Sequence, residues 1–386
     1  MSEFRTIREL CSVVVDCPHS TPKWTANGKI VIRNKNIKHG KIDFSSPSYT
    51  DDEHFAQRIK RAKPQPGDII ITREAPIGDV GMIPESTECC LGQRMVLLRA
   101  NQSVCDNFYL LYSLQSLYVQ HQISWSEGTG TTVSNLRIPH LEQIQIPYLP
   151  LEQQAKISSV LRALEEKIEN NRRLNDNLQQ QAAALFSSLY DRTNTEVRFT
   201  DLIQILGGGT PKTGENTYWN GNIAFFTPKD VGTPYTLITE KTITEEGLSH
   251  CNSRLYPVNT VFVTARGTVG KVGMSGVPMA MNQSCYALVG KETHQLLVYF
   301  YTLKAVDRLK HKASGAVFDA ITTRDFESEQ IMKLSDDDAK AFLCIAEPMF
   351  QKVLNNCIEN LRLSTLRDSL LPKLMSGEVD VSAVQL

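Results

Sequence analysis

Residues 151–190 read LEQQAKISSVLRALEEKIENNRRLNDNLQQQAAALFSSLY, a stretch without glycine or proline. One set of positions, mostly apolar, recurs at alternating steps of four and three residues: Ile157, Leu161, Leu164, Ile168, Asn171, Asn175, Leu178, Ala182, Leu185 and Leu189. This heptad seam predicts one long helix that packs along another helix. At 1.5 Å per residue such a helix is about 60 Å long, more than a compact domain needs.

A second seam of the same spacing follows near the end of the chain. Its positions are Phe342, Ala346, Met349, Val353, Asn356, Asn360, Leu363, Arg367, Leu370 and Leu374. The asparagines of both seams (Asn171, Asn175, Asn356, Asn360) stand at equivalent places, and polar seam residues fix the register of a helix pair. We expect the two helices to pair antiparallel, with globular units at opposite ends. Pairing between two copies of the chain is the alternative.

The rest of the chain is written twice. Residues 71–82 (ITREAPIGDVGM) align with residues 263–274 (VTARGTVGKVGM). Upstream, residues 21–23 (TPK) are echoed by residues 210–212, and Lys35 by Lys229. Downstream, Gln93 is echoed by Gln283. A repeat of this length predicts two related domains.

Each copy contains signals for both strands and helices. Short apolar runs at residues 69–71 and 261–263 predict buried strands. Residues 107–122, with Asp106 as N-cap, and residues 296–309 have helical spacing. The glycine pairs that follow the strands, Gly78/Gly81 and Gly270/Gly273, indicate either a hairpin turn or close approach to a ligand.

The predicted fold class is therefore α+β, with two pseudo-repeated α/β domains separated by two long antiparallel coiled-coil helices. The boundaries expected are 1–150 and 191–335 for the two domains, 151–190 and 336–378 for the helices, and 379–386 for a tail.

The bulk composition narrows the class of protein. A chain of 386 residues is long enough for several domains. It has no apolar run near the ~18 residues that a membrane span needs and no leader at Met1, so we expect a soluble cytoplasmic protein. The nine cysteines are irregularly spaced without a Cys-x-x-Cys pair, which favours reduced thiols and no metal site.

Charge is concentrated in one region. The chain has a net charge of −1, but residues 21–63 carry ten Lys and Arg against four acidic residues, a local net charge of +6. Such a stretch fits a phosphate footprint on DNA, and it fits a solvated basic surface without a ligand equally well.

No set of residues forms a recognisable catalytic motif. Residues 267–271 (GTVGK) lack the Ser or Thr and the spacing of a phosphate-binding loop. The Asn/Asp-Pro-Pro-aromatic tetrapeptide of amino-methyltransferases is also missing from the sequence. We therefore expect any chemistry to lie in partner chains.

Four segments resemble the specificity subunits of type I restriction-modification systems. They are residues 146–154 (IPYLPLEQQ), 174–179 (LNDNLQ), 184–186 (ALF) and 366–378 (LRDSLLPKLMSGE). The resemblance implies two target-recognition domains on spacer helices, a bipartite asymmetric DNA target with a fixed gap, and a non-catalytic subunit that directs methylation and restriction. It also implies three kinds of partner: double-stranded DNA, two modification subunits that carry S-adenosylmethionine, and a motor nuclease subunit that uses ATP and Mg.

The second helix departs from the family pattern. Residues 331–338 (IMKLSDDD) stand where a proline-rich entry is expected, and Pro348 lies inside the heptads. This predicts an irregular start or a bend at Pro348.

Base reading is expected from Arg, Lys, Asn and Gln on loops, because their donors and acceptors match base edges. The candidates are Lys23, Arg33, Asn34, Lys35, Arg73, Gln93 and Arg94 in the first copy, and Lys212, Lys229, Arg254, Arg266, Asn282 and Gln283 in the second. About half are expected to contact phosphate or support the fold. A coiled-coil scaffold for other proteins and a self-contained restriction or methylation enzyme are the rival interpretations.

Overall fold

The computed structural model describes residues 3–38, 40–125, 135–232, 234–312 and 319–381. The chain divides into two compact units. Unit 1 comprises residues 1–166 and 363–386, and unit 2 comprises residues 167–362.

Unit 1 contains eleven described strands and five short helices. The strands are β1 (Glu3–Thr6), β2 (Cys11–Asp16), β3 (Lys29–Ile32), β4 (Ile37–Lys38), β5 (Lys41–Ile42), β6 (Ser48–Thr50), β7 (Ile69–Thr72), β8 (Val80–Met82), β9 (Cys89–Leu91), β10 (Met95–Ala100) and β11 (Gln145–Tyr148). The helices are α1 (Ile7–Leu10), α2 (Asp52–Arg58), α3 (Asn107–Gln115), α4 (Leu117–Trp125) and α5 (Ile138–Gln143).

The core of unit 1 lies on both faces of an antiparallel sheet with strand order β2-β10-β7-β8. Ile69 and Ile71 of β7 pack with α3 and α4, whereas Ile70 packs toward a second sheet of order β6-β3-β9. Burial on both faces explains why this strand is a continuous apolar run. In the second sheet β3 is antiparallel to β6 and parallel to β9.

Unit 2 contains ten described strands and four helices that lie wholly within it. The strands are β12 (Glu196–Arg198), β13 (Ile203–Gly207), β14 (Trp219–Phe226), β15 (Tyr235–Thr236), β16 (Lys241–Ile243), β17 (Val261–Thr264), β18 (Val272–Ser275), β19 (Met279–Met281), β20 (Cys285–Gly290) and β21 (Gln330–Met332). The helices are α7 (Phe199–Leu202), α8 (Glu245–Ser249), α9 (Gln295–Lys312) and α10 (Thr323–Ser328).

The topology of unit 2 repeats that of unit 1. Its main sheet has the order β13-β20-β17-β18-β15, and a second sheet has the order β16-β14-β19. The strands β14 and β19 are parallel, as β3 and β9 are in unit 1. In both units the first strand also pairs antiparallel with the last strand, which directly precedes a long helix. These pairs are β1 with β11 and β12 with β21. The predicted duplication is confirmed.

Two long helices account for the heptad seams, α6 (Leu151–Tyr190) and α11 (Asp336–Ser376). Within unit 2, Phe186 of α6 and Phe342 of α11 share one core cluster, with ring centroids 5.5 Å apart. Within unit 1, Ile157 and Leu161 of α6 pack in one cluster with Leu374 of α11. Early residues of α6 thus meet late residues of α11, and the helices pair antiparallel inside one chain, as the fold class predicted.

The prediction that the second long helix starts irregularly is wrong. Helix α11 begins normally at Asp336, where the Ser335 hydroxyl accepts a hydrogen bond from the backbone N–H of Asp338 at 3.1 Å. It also runs without interruption through Pro348. Proline removes one helical hydrogen bond, but Pro348 and Cys344, whose carbonyl loses its donor, are both exposed to solvent, which supplies another donor.

Of the two other helix predictions, the one for residues 296–309 is confirmed, and the one for residues 107–122 is correct in place but not in detail. The Asp106 carboxylate caps α3 by accepting from the backbone N–H of Tyr109 at 2.8 Å. Where one helix was expected over residues 107–122, an extended Ser116 separates α3 from α4. In unit 2 the corresponding helix, α9, is continuous. No described helix has both the length and the apolar content to cross a membrane.

Candidate nucleic-acid interface

The repeated Thr and Gly residues build the same hairpin in each unit. The Thr72 hydroxyl accepts from the backbone N–H of Asp79 at 2.9 Å, and the backbone N–H of Gly78 donates to the Thr72 carbonyl at 2.9 Å. Thr264 and Gly270 make the equivalent contacts in unit 2. Gly78 and Gly270 have φ values of +83° and +73°, which glycine adopts without strain. The hairpin interpretation of these glycines therefore holds.

The second glycine of each pair is needed for close packing against the protein's own backbone. A Cβ atom on Gly81 would lie 3.0 Å from the carbonyl oxygen of Lys41. A Cβ atom on Gly273 would lie 2.8 Å from the carbonyl oxygen of Gly232. The close neighbour of each glycine is thus a backbone segment of the same unit, whereas the sequence analysis had offered a ligand as the alternative to a hairpin turn.

Candidate residues that are far apart in sequence converge because of the parallel strands. In unit 1 the paired strands β3 and β9 end opposite each other, at Ile32 and Leu91. The residues that follow, 33–35 and 92–94, therefore leave the sheet at one edge. The backbone N–H of Gly92 donates to the Ile32 carbonyl at 2.8 Å and joins the two exits.

Unit 2 uses the same device. Strands β14 and β19 are parallel and end opposite each other, at Phe226 and Met281. The backbone N–H of Asn282 donates to the Phe226 carbonyl at 3.0 Å, as Gly92 does to Ile32. Lys229 and Gln283 thus follow neighbouring strand ends, in the positions that Lys35 and Gln93 occupy in unit 1.

In unit 1 these exits enclose a cleft of about 340 Å³. It is lined by Pro22, Trp24, Arg33, Asn34, Lys35, Ala75, Gly92, Gln93 and Arg94. The cleft thus brings together most of the candidates named for the first copy. Trp24, which is 45% exposed, was missed by the motif search. An aromatic residue amid a basic stretch was the available signal.

The cleft carries positive charge. The Arg33 guanidinium lies 5.0 Å from the centre of the Trp24 ring, and the Lys35 ammonium lies 3.3 Å from the Ser46 hydroxyl. Neither Arg33 nor Lys35 pairs with a carboxylate in the described part of the chain, whereas Arg94 lies 3.2 Å from Glu74. An exposed cation without an acidic partner is suited to binding phosphate.

Each unit also joins an echoed threonine to an echoed glutamine. The Gln93 side-chain amide donates to the Thr21 hydroxyl at 3.3 Å and to the His19 carbonyl. In unit 2 the Thr210 hydroxyl donates to the Gln283 amide oxygen. The loop before each Pro-Lys pair is thereby tied to the strand exits.

The side chains of two candidates, Arg73 and Asn34, are hydrogen-bonded to other residues of unit 1. Arg73 is 9% exposed, and its guanidinium donates to the Leu136 carbonyl at 2.8 Å, to Asp16 at 2.8 Å and to Asn135 at 3.2 Å. These contacts occupy the side chain within unit 1. Asn34 lines the cleft, but its amide donates to the Glu74 carbonyl at 2.6 Å. We therefore leave Arg73 out of the residues proposed to contact DNA.

The basic stretch 21–63 is also less available than its net charge implies. Arg58 is buried, and Lys29 and Lys63 share Glu88, at 2.5 and 3.0 Å. Lys23 lies exposed beside the cleft, 3.3 Å from Asp51. Fewer basic side chains of this stretch are therefore free of burial and of carboxylate partners than its net charge suggested.

The remaining unit 2 candidates lie around the end of β19. The Ser253 hydroxyl accepts from the backbone N–H of Met281 at 3.0 Å, which brings the exposed Arg254 alongside. The backbone N–H of the exposed Arg266 donates to the Ser284 carbonyl at 3.3 Å. Lys212 is exposed two residues after Thr210, and Lys229 lies 3.5 Å from Glu240.

The four seam asparagines pair across the helices within unit 2. The Asn171 amide donates to the Asn360 amide oxygen at 2.9 Å, and the Asn356 amide donates to the Asn175 amide oxygen at 2.7 Å. Asn171 also donates to Glu359 at 2.8 Å, which lowers the pKa of that carboxyl.

The chain can now be placed among known proteins. A family model described as Type I restriction modification DNA specificity domain matches residues 3–180 and 192–333, one copy over each half. The chain belongs to this family of DNA specificity subunits. This confirms the resemblance seen in the sequence and supports that interpretation rather than the scaffold alternative.

Individual proteins that are similar to this chain are also type I specificity subunits. The chain is 23% identical over 342 residues to the type I restriction enzyme MjaIX specificity subunit of Methanocaldococcus jannaschii, covering 82% of this chain and 78% of the relative. It is 28% identical over 186 residues to the HindI specificity subunit of Haemophilus influenzae, covering 47% of this chain and 40% of the relative. The crystal structure of a type I S subunit from M. genitalium has the same fold, with a TM-score of 0.60 and 18% identity over 96% of this chain and 95% of that one.

Proposed function

We propose that this chain reads a bipartite, asymmetric DNA sequence, with one half-site read by each unit, as the non-catalytic specificity subunit of a restriction-modification complex. The observation that carries the proposal is the convergence, in each unit, of polar and basic residues at the paired ends of two parallel strands. This convergence provides donors and acceptors for base edges and cations for phosphates on one surface.

The two units differ at equivalent positions, which accounts for an asymmetric target. Gly92 and Asn282 occupy the same place, so Arg94 corresponds to Ser284. By the same alignment, Arg33 corresponds to Thr227. Arginine favours guanine edges and phosphates, whereas Ser284 and Thr227 are short and uncharged, and the Thr227 hydroxyl donates to Asp230 at 2.6 Å. The two surfaces therefore select different bases.

The chemistry is assigned to partner chains. The sequence holds no recognisable catalytic motif, and the family is one of DNA specificity subunits. We propose that two modification subunits carrying S-adenosylmethionine, and a motor nuclease subunit using ATP and Mg, act where this chain binds. Because such a complex acts on DNA inside the cell, the cytoplasm is the proposed location.

Salt dependence of DNA binding tests the proposal. The full-length chain, with and without its modification partners, is titrated with duplex DNA between low and moderate salt. A DNA-reading chain that contacts several phosphates loses affinity steeply, with a log-log slope of about −0.9 for each phosphate neutralised. A salt-independent or undetectable interaction would support a protein scaffold instead, and methyl transfer by the chain alone would support a self-contained enzyme.

A further inference from the structure

Arg58, the last residue of α2, is enclosed inside unit 1. It is only 6% exposed, and its guanidinium donates hydrogen bonds to four backbone carbonyls. The acceptors are the carbonyl oxygens of Leu91 (2.7 Å), Gly92 (2.8 Å), Ser20 (2.9 Å) and Pro18 (3.1 Å). The side chain thus joins two segments that are distant in sequence.

Burial of Arg58 is costly unless these hydrogen bonds form. Removal from water lowers the pKa of the guanidinium, although an arginine keeps its charge in proteins. Among the described residues no carboxylate pairs with it, so the backbone carbonyls compensate the charge. Hydrogen bonds from a charged donor are about twice as strong as neutral ones, and breaking them removes a partner from the buried carbonyls of Leu91 and Gly92.

The two joined segments are walls of the cleft. One wall continues from Gly92 into Gln93 and Arg94, and the other continues from Ser20 toward Trp24. The Gln93 amide bridges the two walls directly, because it donates to the His19 carbonyl and to the Thr21 hydroxyl of the other wall. Arg58 therefore sits behind the cleft and fixes the backbone from which its polar side chains project.

Unit 2 holds its equivalent loops without a buried arginine. There the Tyr256 hydroxyl donates to the Gly207 carbonyl at 2.9 Å, and the Ser253 hydroxyl holds the backbone of Met281. In the described parts of the chain, the buried arginines, Arg58 and Arg73, both belong to unit 1. Loss of Arg58 is thus expected to disturb one reading surface and leave the other intact.

We infer that Arg58 is a positioning residue for DNA reading by unit 1. It makes the base preference at one half-site depend on a buried side chain that does not line the DNA-reading cleft. The inference rests on the proposed function.

The test compares Arg58→Met and Arg58→Lys with the matched variant Arg99→Met in the full-length chain. Arg99 also ties segments of unit 1 together, through Asp68 at 2.7 Å and the Lys63 carbonyl at 3.0 Å, but none of these residues lines the cleft. Each variant selects sequences from a randomised duplex pool, and its thermal midpoint is measured in parallel.

For Arg58→Met we expect the preference for the correct base at the half-site read by unit 1, the first half-site, to fall about tenfold. A loss of this size lies within the free energy that one mismatched base pair costs. The second half-site should keep its preference. Arg58→Lys, which keeps the charge but not the planar fork, should lose less. Arg99→Met should lower the thermal midpoint and leave both preferences unchanged.

Two results would overturn the inference: wild-type preferences at both half-sites in Arg58→Met, or an equal loss of first-site preference in Arg99→Met. If Arg58→Met does not fold, the comparison of Arg58→Lys with Arg99→Met decides in the same way. A wild-type chain without any sequence preference would refute the proposed function itself, which separates the two failures.

Discussion

Asn356 donates its side-chain amide to the amide oxygen of Asn175 at 2.7 Å, and both side chains are buried on the facing surfaces of α6 and α11. Replacing either one alone with leucine leaves a buried amide without its partner, which costs about 1–3 kcal/mol. Replacing both should restore much of that stability. Denaturant unfolding of the two single variants and the double variant measures the coupling. Additive effects would show that the hydrogen bond contributes little.

The length of the paired helices should set the gap between half-sites. Inserting seven residues next to Asn171 and seven next to Asn360 preserves the heptad phase and adds about 10.5 Å to the helix pair. At about 3.4 Å per base pair, we expect the tolerated gap to grow by about three base pairs. Methylation mapping of the complex reads the gap. An unchanged gap would contradict the spacer role, and insertion into α6 alone, which breaks the pairing, is the control.

Exchange of residues 1–150 for the same domain of a relative should change one half-site only. The reason is that each unit has its own pair of strand exits and its own core. Sequencing of methylated or selected DNA would show which half-site follows the exchanged segment. A change in both half-sites would mean that reading is shared between the units.

Lys35 should contribute to phosphate binding. It is exposed in the cleft and has no carboxylate partner among the described residues, so Lys35→Ala should weaken binding to all sequences and reduce the salt slope by about one. Lys29→Ala is the matched control, since the Lys29 ammonium is held by Glu88. Equal salt slopes for Lys35→Ala and wild type would exclude a phosphate contact at this position.

Helix α2, which carries Arg58, should be sensitive to acid through its N-cap. The backbone N–H of His54 donates to Asp51 and lowers the pKa of that carboxyl to about 2. Because this folded-state pKa lies below the ordinary value of about 3.9, the stabilisation is present above pH 4 and is lost as the pH falls toward 2. Thermal midpoints between pH 5 and 2 should fall less steeply in Asp51→Asn. Parallel curves would contradict the prediction.

Whether a given charged side chain is exposed or buried was decided by the tertiary structure. Arg33, Arg58 and Arg73 look alike in the sequence, yet one is exposed in the cleft and two are buried. The difference depends on carbonyls and carboxylates supplied by distant segments, such as Leu91 for Arg58 and Asp16 for Arg73. No local pattern records such partners. Nor does a local pattern show that α11 accommodates Pro348, which it does because that turn of the helix faces solvent.

The sequence by itself determined the two heptad seams, the duplication and the family, because periodicity and repeated residues are local properties of the chain. The tertiary structure alone decided that residues 33–35 and 92–94 form one cleft, since this depends on the parallel pairing of β3 with β9. Pairing between strands so far apart in sequence is set by the packing of the whole core, which buries both faces of β7.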